Sequence, residues 1–282
     1  MKIFVFFLFF TMTILFPAAD ERVKAITFNI RYGTADDGEN SWPNRKNILF
    51  NFINTEKADF IGMQEAMIFQ IDEIIENCPG YSYIGRTRDA DGKSGEATPI
   101  LYRPAVYEMV EQHSRWLSLT PEIPASKSWD SALPRIFTWA VFRKKADGKE
   151  IVIYNTHFDH LGVTARQESA RLLVSHIDEH FSGSDLILLG DFNALETSDA
   201  IRYFTNNQTC KLSDTYRQLH SRQEEKDMTY YGWNEHLAGS GRRIDYIFYR
   251  GNLKPVSAYV SNFHIGKNYP SDHMPVVAVF EH

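Results

Sequence analysis

The stretch Asp185-Leu-Ile-Leu-Leu-Gly-Asp191-Phe-Asn193 is an apolar run that turns polar only at its end. Such a run reads as a strand buried on both faces, with Gly190 letting the backbone turn as it surfaces, so Asp191 and Asn193 are expected at a strand tip. One polar strand end is ordinary, but the pattern recurs at Asn29, Glu65, His157, Asp245 and the Asp272-His273 pair. Glu65, Asp191, Asp245 and Asp272, with Asn29 and Asn193, are oxygen donors, a set suited to Mg2+, Mn2+ or Ca2+ rather than zinc. Carboxylates gathered at one rim repel one another, so a divalent cation is needed to keep them ionised together. Histidines beside such a cation serve as acids, bases or phosphate donors. That combination equips a chain for phosphoryl-ester hydrolysis: a Lewis acid on the phosphate, a carboxylate to orient and deprotonate water, and imidazole to stabilise developing charge.

The elements that must carry these tips can be read in order. Lys24 to Asn29 alternates as a strand, and Ile48, Leu49, Phe52 and Ile53 continue at helical spacing after Ser41-Trp-Pro-Asn44-Arg45. Trp42 and Arg45 are read either as ligand contacts or as cover for the core. Asp59 to Glu65 is a second short strand, followed by a helix carrying Ile68, Ile71, Ile75 and Cys78 on one face. Tyr81 to Ile84 and Thr98 to Tyr102 form a hairpin around the polar loop from Arg86 to Gly95, with Glu96 entering the returning strand. Ser114 to Leu133, with two Trp and two Pro, reads as a long irregular loop of the kind that forms lids or binding walls. Ile136 to Phe142 and Glu150 to Asn155 pair around Asp147-Gly148, and the second of these runs into His157-Phe-Asp159-His160. A helix with Ala170, Leu173, Val174, Ile177 and Phe181 on one face then feeds the opening stretch. Beyond Asn193 the chain is helical or irregular to about Leu219. Thr229 to Trp233 and Gly239 to Gly241 form a loop, and strands follow at Arg243 to Tyr249 and Val276 to Phe280, with one more between them.

Composition sets the outer limits. A chain of 282 residues with 43% hydrophobic and 14% aromatic content can bury a sizeable core, and without repeats, low-complexity tracts or long linkers, residues 20–282 are expected to form one domain. Lys2, the apolar run Ile3 to Phe16 and Pro17-Ala18-Ala19 read as a secretory signal over residues 1–19; a retained membrane anchor is the alternative, though the run is short for a span of ~20 residues. Export, to the periplasm or outside the cell, follows from that reading, with no membrane insertion after cleavage. Cys78 and Cys210 stand in no CxxC arrangement, so thiol-based zinc or redox chemistry is disfavoured, while one disulfide and two buried free thiols both stay open. The formal charge of -6 argues against capture of nucleic acid by phosphate neutralisation.

The series Asn29, Gln64-Glu65, Asn155-Thr-His157, Gly190-Asp191-Phe-Asn193, Arg243-Ile-Asp245-Tyr and Ser271-Asp272-His273 resembles the endonuclease/exonuclease/phosphatase (DNase I-like) superfamily, in a secreted bacterial-type form, over nearly the whole mature chain. The resemblance implies a four-layer α/β/β/α sandwich, two mixed sheets face to face with helices outside and the site at one end. It implies a metal-dependent hydrolase of phosphate esters, in which Glu65 ligates Mg2+ with Asn29 and Asp272, and Mn2+ as the other candidate ion. Asp191 activates water, Asn193 and His273 contact the phosphate, Asp245 orients His273, and His157 donates to the phosphate or leaving group with Glu96 paired to it. The superfamily's substrates range over nucleic acids, phospholipids and phosphorylated inositols or sugars. Net acidity and aromatic loops favour a small phosphorylated molecule or lipid-like head group acted on by a monomer, with a nuclease as the alternative. Arg86, Arg88, Arg135, Arg242 and Arg243 are read as second-phosphate contacts or as solvated surface.

Other readings are weaker. His157-Phe-Asp159-His160 matches the end of the HxHxDH zinc motif of metallo-β-lactamase-fold hydrolases, but Asn155 stands where the first His belongs. Asp191-Phe-Asn193 imitates the start of an EF-hand loop, yet Leu195 and Glu196 occupy positions that need an oxygen ligand and Gly. An inactive binding module, with Trp42, Trp116, Trp129 and Trp233 as a stacking wall, is the alternative from a different class. Asp159 and His160 have no role in the implied mechanism beyond leaving-group recognition.

Overall fold

Two six-stranded mixed sheets face each other. The computed structural model describes residues 21–282 except 208, 222–223, 225–226 and 234–241. The signal-sequence reading of residues 1–19 and the loop at 239–241 therefore lie outside the described residues. The first sheet runs β11(Lys254–Val260), β12(Val276–Glu281), β1(Arg22–Asn29), β2(Phe60–Gln64), β4(Ile100–Tyr102), β3(Ser82–Ile84). The second runs β5(Tyr107–Trp116), β6(Ile136–Lys144), β7(Glu150–His157), β8(Leu186–Asp191), β10(Asp245–Arg250), β9(Ser213–Asp214). In each sheet one central pair is parallel, β1 with β2 and β7 with β8, and the other pairs are antiparallel. Helices α1(Trp42–Glu56) and α2(Ile68–Asn77) cover the first sheet, and α3(Val163–Phe181) and α4(Asp199–Asn206) cover the second. The result is the expected α/β/β/α layering.

The apolar run before Asp191 follows from this layering. Side chains alternate across a strand, so Leu186 and Leu188 of β8 pack under α3 and α4 while Ile187 and Leu189 pack between the sheets. Both faces are buried, and no position can be polar until the strand ends. Asp191 keeps the parity of Ile187 and Leu189 and thus belongs to the inter-sheet face at the end of the sandwich. The same parity carries Ala25 to Asn29 on β1, Phe60 to Gln64 on β2, Ile153 to His157 on β7 and Ile247 to Asp245 on β10. The core becomes polar at one edge, and that edge is the site.

Just beneath it the sheets are joined by a polar clasp. Asn155 donates to the carbonyls of Met63 and Pro99 at 2.7 and 2.8 Å and accepts from Gln64 Nε2 at 2.7 Å, all buried. Gly62 makes the approach possible, since a Cβ there would lie 2.7 Å from Asn155 Oδ1 and 2.9 Å from the Leu189 Cβ. Gly190 has a similar reason for being small. It lies inside β8, where a Cβ would meet the Thr156 carbonyl oxygen at 2.8 Å, so close packing rather than a turn explains it.

Other expectations change. Ser114 to Trp116 belong to β5 rather than to the long loop, which starts at Leu117. Cys78 and Cys210 are free and buried in separate cores, one on the helix side of each sheet. Trp42 and Arg45 are core residues: Trp42 is 3% exposed, and Arg45 gives its donors to the carbonyls of Ile30, Arg31, Asn40 and Pro270. Trp116 is buried as well, with its indole N–H on the Arg88 carbonyl, so two members of the stacking wall are gone.

Candidate active site

His157, Asp191 and Asp245 form one row across three neighbouring strands, His157 in register with Asp191 and Asp191 with Asp245. From the facing sheet Asn29 bridges two carboxylates, its amide NH2 donating to Asp191 Oδ2 at 2.9 Å and to Glu65 Oε1 at 3.1 Å. Its own oxygen accepts from the Arg31 amide, so in this arrangement Asn29 tethers the expected metal ligand instead of offering an oxygen ligand itself. Glu65 also accepts from the Tyr32 amide at 3.1 Å. His273, on the segment leading into β12, donates from Nδ1 to Asp245 Oδ2 at 2.9 Å, and its Nε2 lies 3.8 Å from Asp191 Oδ2. Residues as far apart in the chain as Asn29 and Ser271, whose hydroxyl donates to the Asn29 carbonyl at 2.7 Å, thus meet at one end of the sandwich.

Three of the residues at these tips adopt left-handed backbone: Arg31 at φ 56°, Glu65 at φ 56° and Asn193 at φ 47°. That region is costly for residues with a Cβ and persists where surrounding contacts fix it. The fixing contacts here are with the site itself. Asn29 Oδ1 accepts from the Arg31 amide, and Asp191 Oδ1 accepts from the Asn193 amide at 2.9 Å. Asn193 also gives its side-chain NH2 to the Phe158 carbonyl.

The His157 side departs from the expected pairing. Glu96 Oε2 stays 3.8 Å from His157 Nδ1, and Arg135 comes closer, with Nη1 at 2.9 Å. Glu96 accepts from Arg88 at 2.7 Å and lies 3.7 Å from Arg135. Arg135, read from sequence as a phosphate contact or surface residue, is buried in the site. Arg243 is also buried, committed to Asp214 and Glu196. Arg31 was missed altogether. Asp37 grips it bidentately, and its Nε lies 4.0 Å from Asp272 Oδ2. The only available sequence signal was a cation two positions past a strand-end Asn.

The titrating groups are strongly biased. Burial, reinforced by Asp245, pushes the Asp191 carboxyl up, to about 7. Burial alone would lower His273, but Asp245, Asp191 and Asp272 outweigh it and hold the imidazole up, at about 10. Burial and the Arg135 charge push His157 well down. Burial raises Asp272 and Glu96.

These shifts fix a stability profile. A His whose folded value lies above its unfolded one stabilises fully below about pH 6.5, and that contribution is lost as pH rises toward 10. Asp191 acts in the same sense at lower pH, because the fold retains a proton there that the unfolded chain has released. His157 acts in the opposite sense, below its ordinary value. Between pH 7 and 9 the metal-free protein should therefore lose roughly 5 °C in Tm, and His273→Gln should flatten the curve. Identical slopes in both proteins would show that His273 is not held charged.

The residues fit a hard divalent cation. Glu65 and Asp272 are near enough for the Glu65 charge to help raise Asp272, and beside them Asp191, Asp245 and His273 each offer a ligand atom within 4.8 Å of one another. Asp245 Oδ1 is buried with no hydrogen-bond partner, and burial raises both Asp191 and Asp272, a cost that positive charge at this rim would remove.

Comparison with known proteins follows the same lines. A sequence profile of the Endonuclease/Exonuclease/phosphatase family matches residues 26–273. The chain is similar to a solved endonuclease/exonuclease/phosphatase from Bacteroides vulgatus, at 33% identity and TM-score 0.85, covering 92% of this chain and 98% of that one. It is similar to a mannosyl-6-phosphatase from Bacteroides thetaiotaomicron, at 31% identity and TM-score 0.80, covering 91% and 98%. It is also 29% identical over 275 residues to the uncharacterized protein L388 of Acanthamoeba polyphaga mimivirus, covering 92% of this chain and all of the relative.

Proposed function

This chain belongs to the endonuclease/exonuclease/phosphatase family, whose members are hydrolases acting on phosphate esters, and from that premise we propose that it is a Mg2+-dependent phosphoesterase acting on a small phosphorylated molecule, of which a sugar phosphate is the favoured class. The observation that carries the reading is the row His157–Asp191–Asp245 closed over by Asn29, Glu65 and His273 at one end of the sandwich. The sugar-phosphate class is supported by the mannosyl-6-phosphatase relative, and nucleic acid is disfavoured by the net charge of -6. Export is proposed from the character of residues 1–19 alone.

Glu65 and Asp272 would hold Mg2+, with Asn29 bracing Glu65. When bound, the ion supplies Lewis-acid stabilisation of the phosphate. Asp191 is the base: bonds from Asn29 and the Asn193 amide to its two oxygens fix the plane of the carboxylate that accepts a proton from water. His273, charged and oriented by Asp245, contacts the phosphate oxygens together with Asn193. His157 donates to the phosphate or the leaving oxygen. The test is hydrolysis in Mg2+ against EDTA across DNA, sphingomyelin, inositol phosphates and sugar phosphates including mannose 6-phosphate. Turnover of a sugar phosphate that EDTA abolishes supports the reading; turnover confined to DNA overturns the substrate class, and turnover unaffected by EDTA overturns the metal.

A further inference from the structure

Arg135 stands one residue before β6 and touches two imidazoles with its two terminal nitrogens. Nη1 is 2.9 Å from His157 Nδ1, and Nη2 is 3.1 Å from His160 Nδ1. A guanidinium has donors only and stays protonated in proteins, so neither contact can run in reverse. Each Nδ1 must present a lone pair, which places the ring proton of both histidines on Nε2. The other edge of His157 lies in the site, with Nε2 3.0 Å from the Asn193 side-chain nitrogen and 3.6 Å from the acceptor Asp191 Oδ2. The Asn193 nitrogen has the Phe158 carbonyl as its other acceptor and Asp191 can receive an Nε2–H, whereas the guanidinium has no acceptor to offer, so Arg135 decides the tautomer.

The clamp is itself anchored. Asp159 lies 3.8 Å from Arg135 Nε and accepts from Ser131 Oγ and the amides of Ala132, Leu133, Leu161 and Gly162. One buried carboxylate thus ties the segment leading into Arg135 to the turn that carries His160. Asp159 and His160, the motif without a role in the implied mechanism, are the anchor and the outer jaw of this assembly. His160 is exposed, and with its Nδ1 edge on the guanidinium its Nε2 edge is turned away from it.

We infer that Arg135 is a positioning residue that fixes His157 and His160 as paired Nε2–H donors, with His157 serving the scissile phosphate and His160 an acceptor oxygen of the leaving group. A leaving group rich in hydroxyls, such as a sugar, fits the second donor; an aryl alcohol without a neighbouring oxygen does not use it. The substrate half of this inference rests on the phosphoesterase reading, and the tautomer half does not.

Long-range 1H–15N correlation spectra of the imidazoles in the full chain at pH 8 test the clamp without turnover. Both rings should show a pyridine-type Nδ1 and a pyrrole-type Nε2, and Arg135→Met should convert both to mixed tautomers. A protonated Nδ1 in either ring of the parent, or a pattern unchanged in Arg135→Met, overturns the inference. Should Arg135→Met fail to fold, Arg135→Lys, which keeps the charge on a single nitrogen, must lose the pattern in at least one ring; retention in both overturns it equally. His160→Phe keeps a ring and loses the donor. It should lower kcat/KM for mannose 6-phosphate about tenfold relative to kcat/KM for p-nitrophenyl phosphate, and equal losses on both substrates would overturn the leaving-group role. A parent that hydrolyses neither substrate refutes the phosphoesterase reading, while the spectra still decide the role of Arg135.

Discussion

Asp191→Asn is expected to lower kcat on p-nitrophenyl phosphate by about 10³-fold, because removal of a general base acts on the transition state. The thermal stability should stay within about 1 kcal/mol of the parent. The variant side chain keeps the shape and can still accept from the Asn193 amide. It loses the bond from Asn29, and it also removes a buried carboxylate that sits against Asp245 and is held well above its ordinary value. The loss and the relief are of comparable size, which separates this substitution from an unfolding mutation. Melting curves and steady-state rates on the same preparation check it, and retained turnover would take Asp191 out of the mechanism.

The second large effect is on metal binding. Saturating Mg2+ at about 100 times its Kd should stabilise the parent by about 2.7 kcal/mol, a rise in Tm of roughly 5–10 °C for a domain of this size. In Glu65→Gln the same Mg2+ should raise Tm by less than about 2 °C, with turnover down about 10²-fold or more. Gln keeps the length and one acceptor for the Tyr32 amide or for Asn29, so the fold at the tip is preserved while the hard anionic ligand is lost. Equal Mg2+ shifts in both proteins would remove Glu65 from the metal site.

Much of this arrangement was legible in the chain because strand ends announce themselves. Buried strands such as β8 cannot be polar until they surface, so local pattern places Asp191 at a strand end, as it does Asn29, Glu65, His157 and Asp245. What local pattern could not give was which tip belongs to which sheet. That is decided by register over distances of a hundred residues and more, as between Asn29 and Asp191. The edge strand β5 hid for a different reason: Glu108, Glu111, Gln112, His113 and Arg115 leave it without apolar alternation, and a bulge between Met109 and Glu111 breaks what period remains. Arg135 looked like surface because a lone Arg between segments usually is. Its burial is the work of Glu96 and Asp159, which reach it from other parts of the chain.

The Asn155 clasp ties Met63 and Pro99 to β7 directly below a constellation contributed by both halves of the sandwich. Neither half alone holds the complete reaction centre, since Glu65 comes from one and the row His157–Asp191–Asp245 from the other. During refolding, turnover should consequently return in step with the last docking event and lag behind any probe of a single β-layer. A severed chain should recover it only when its fragments reassociate.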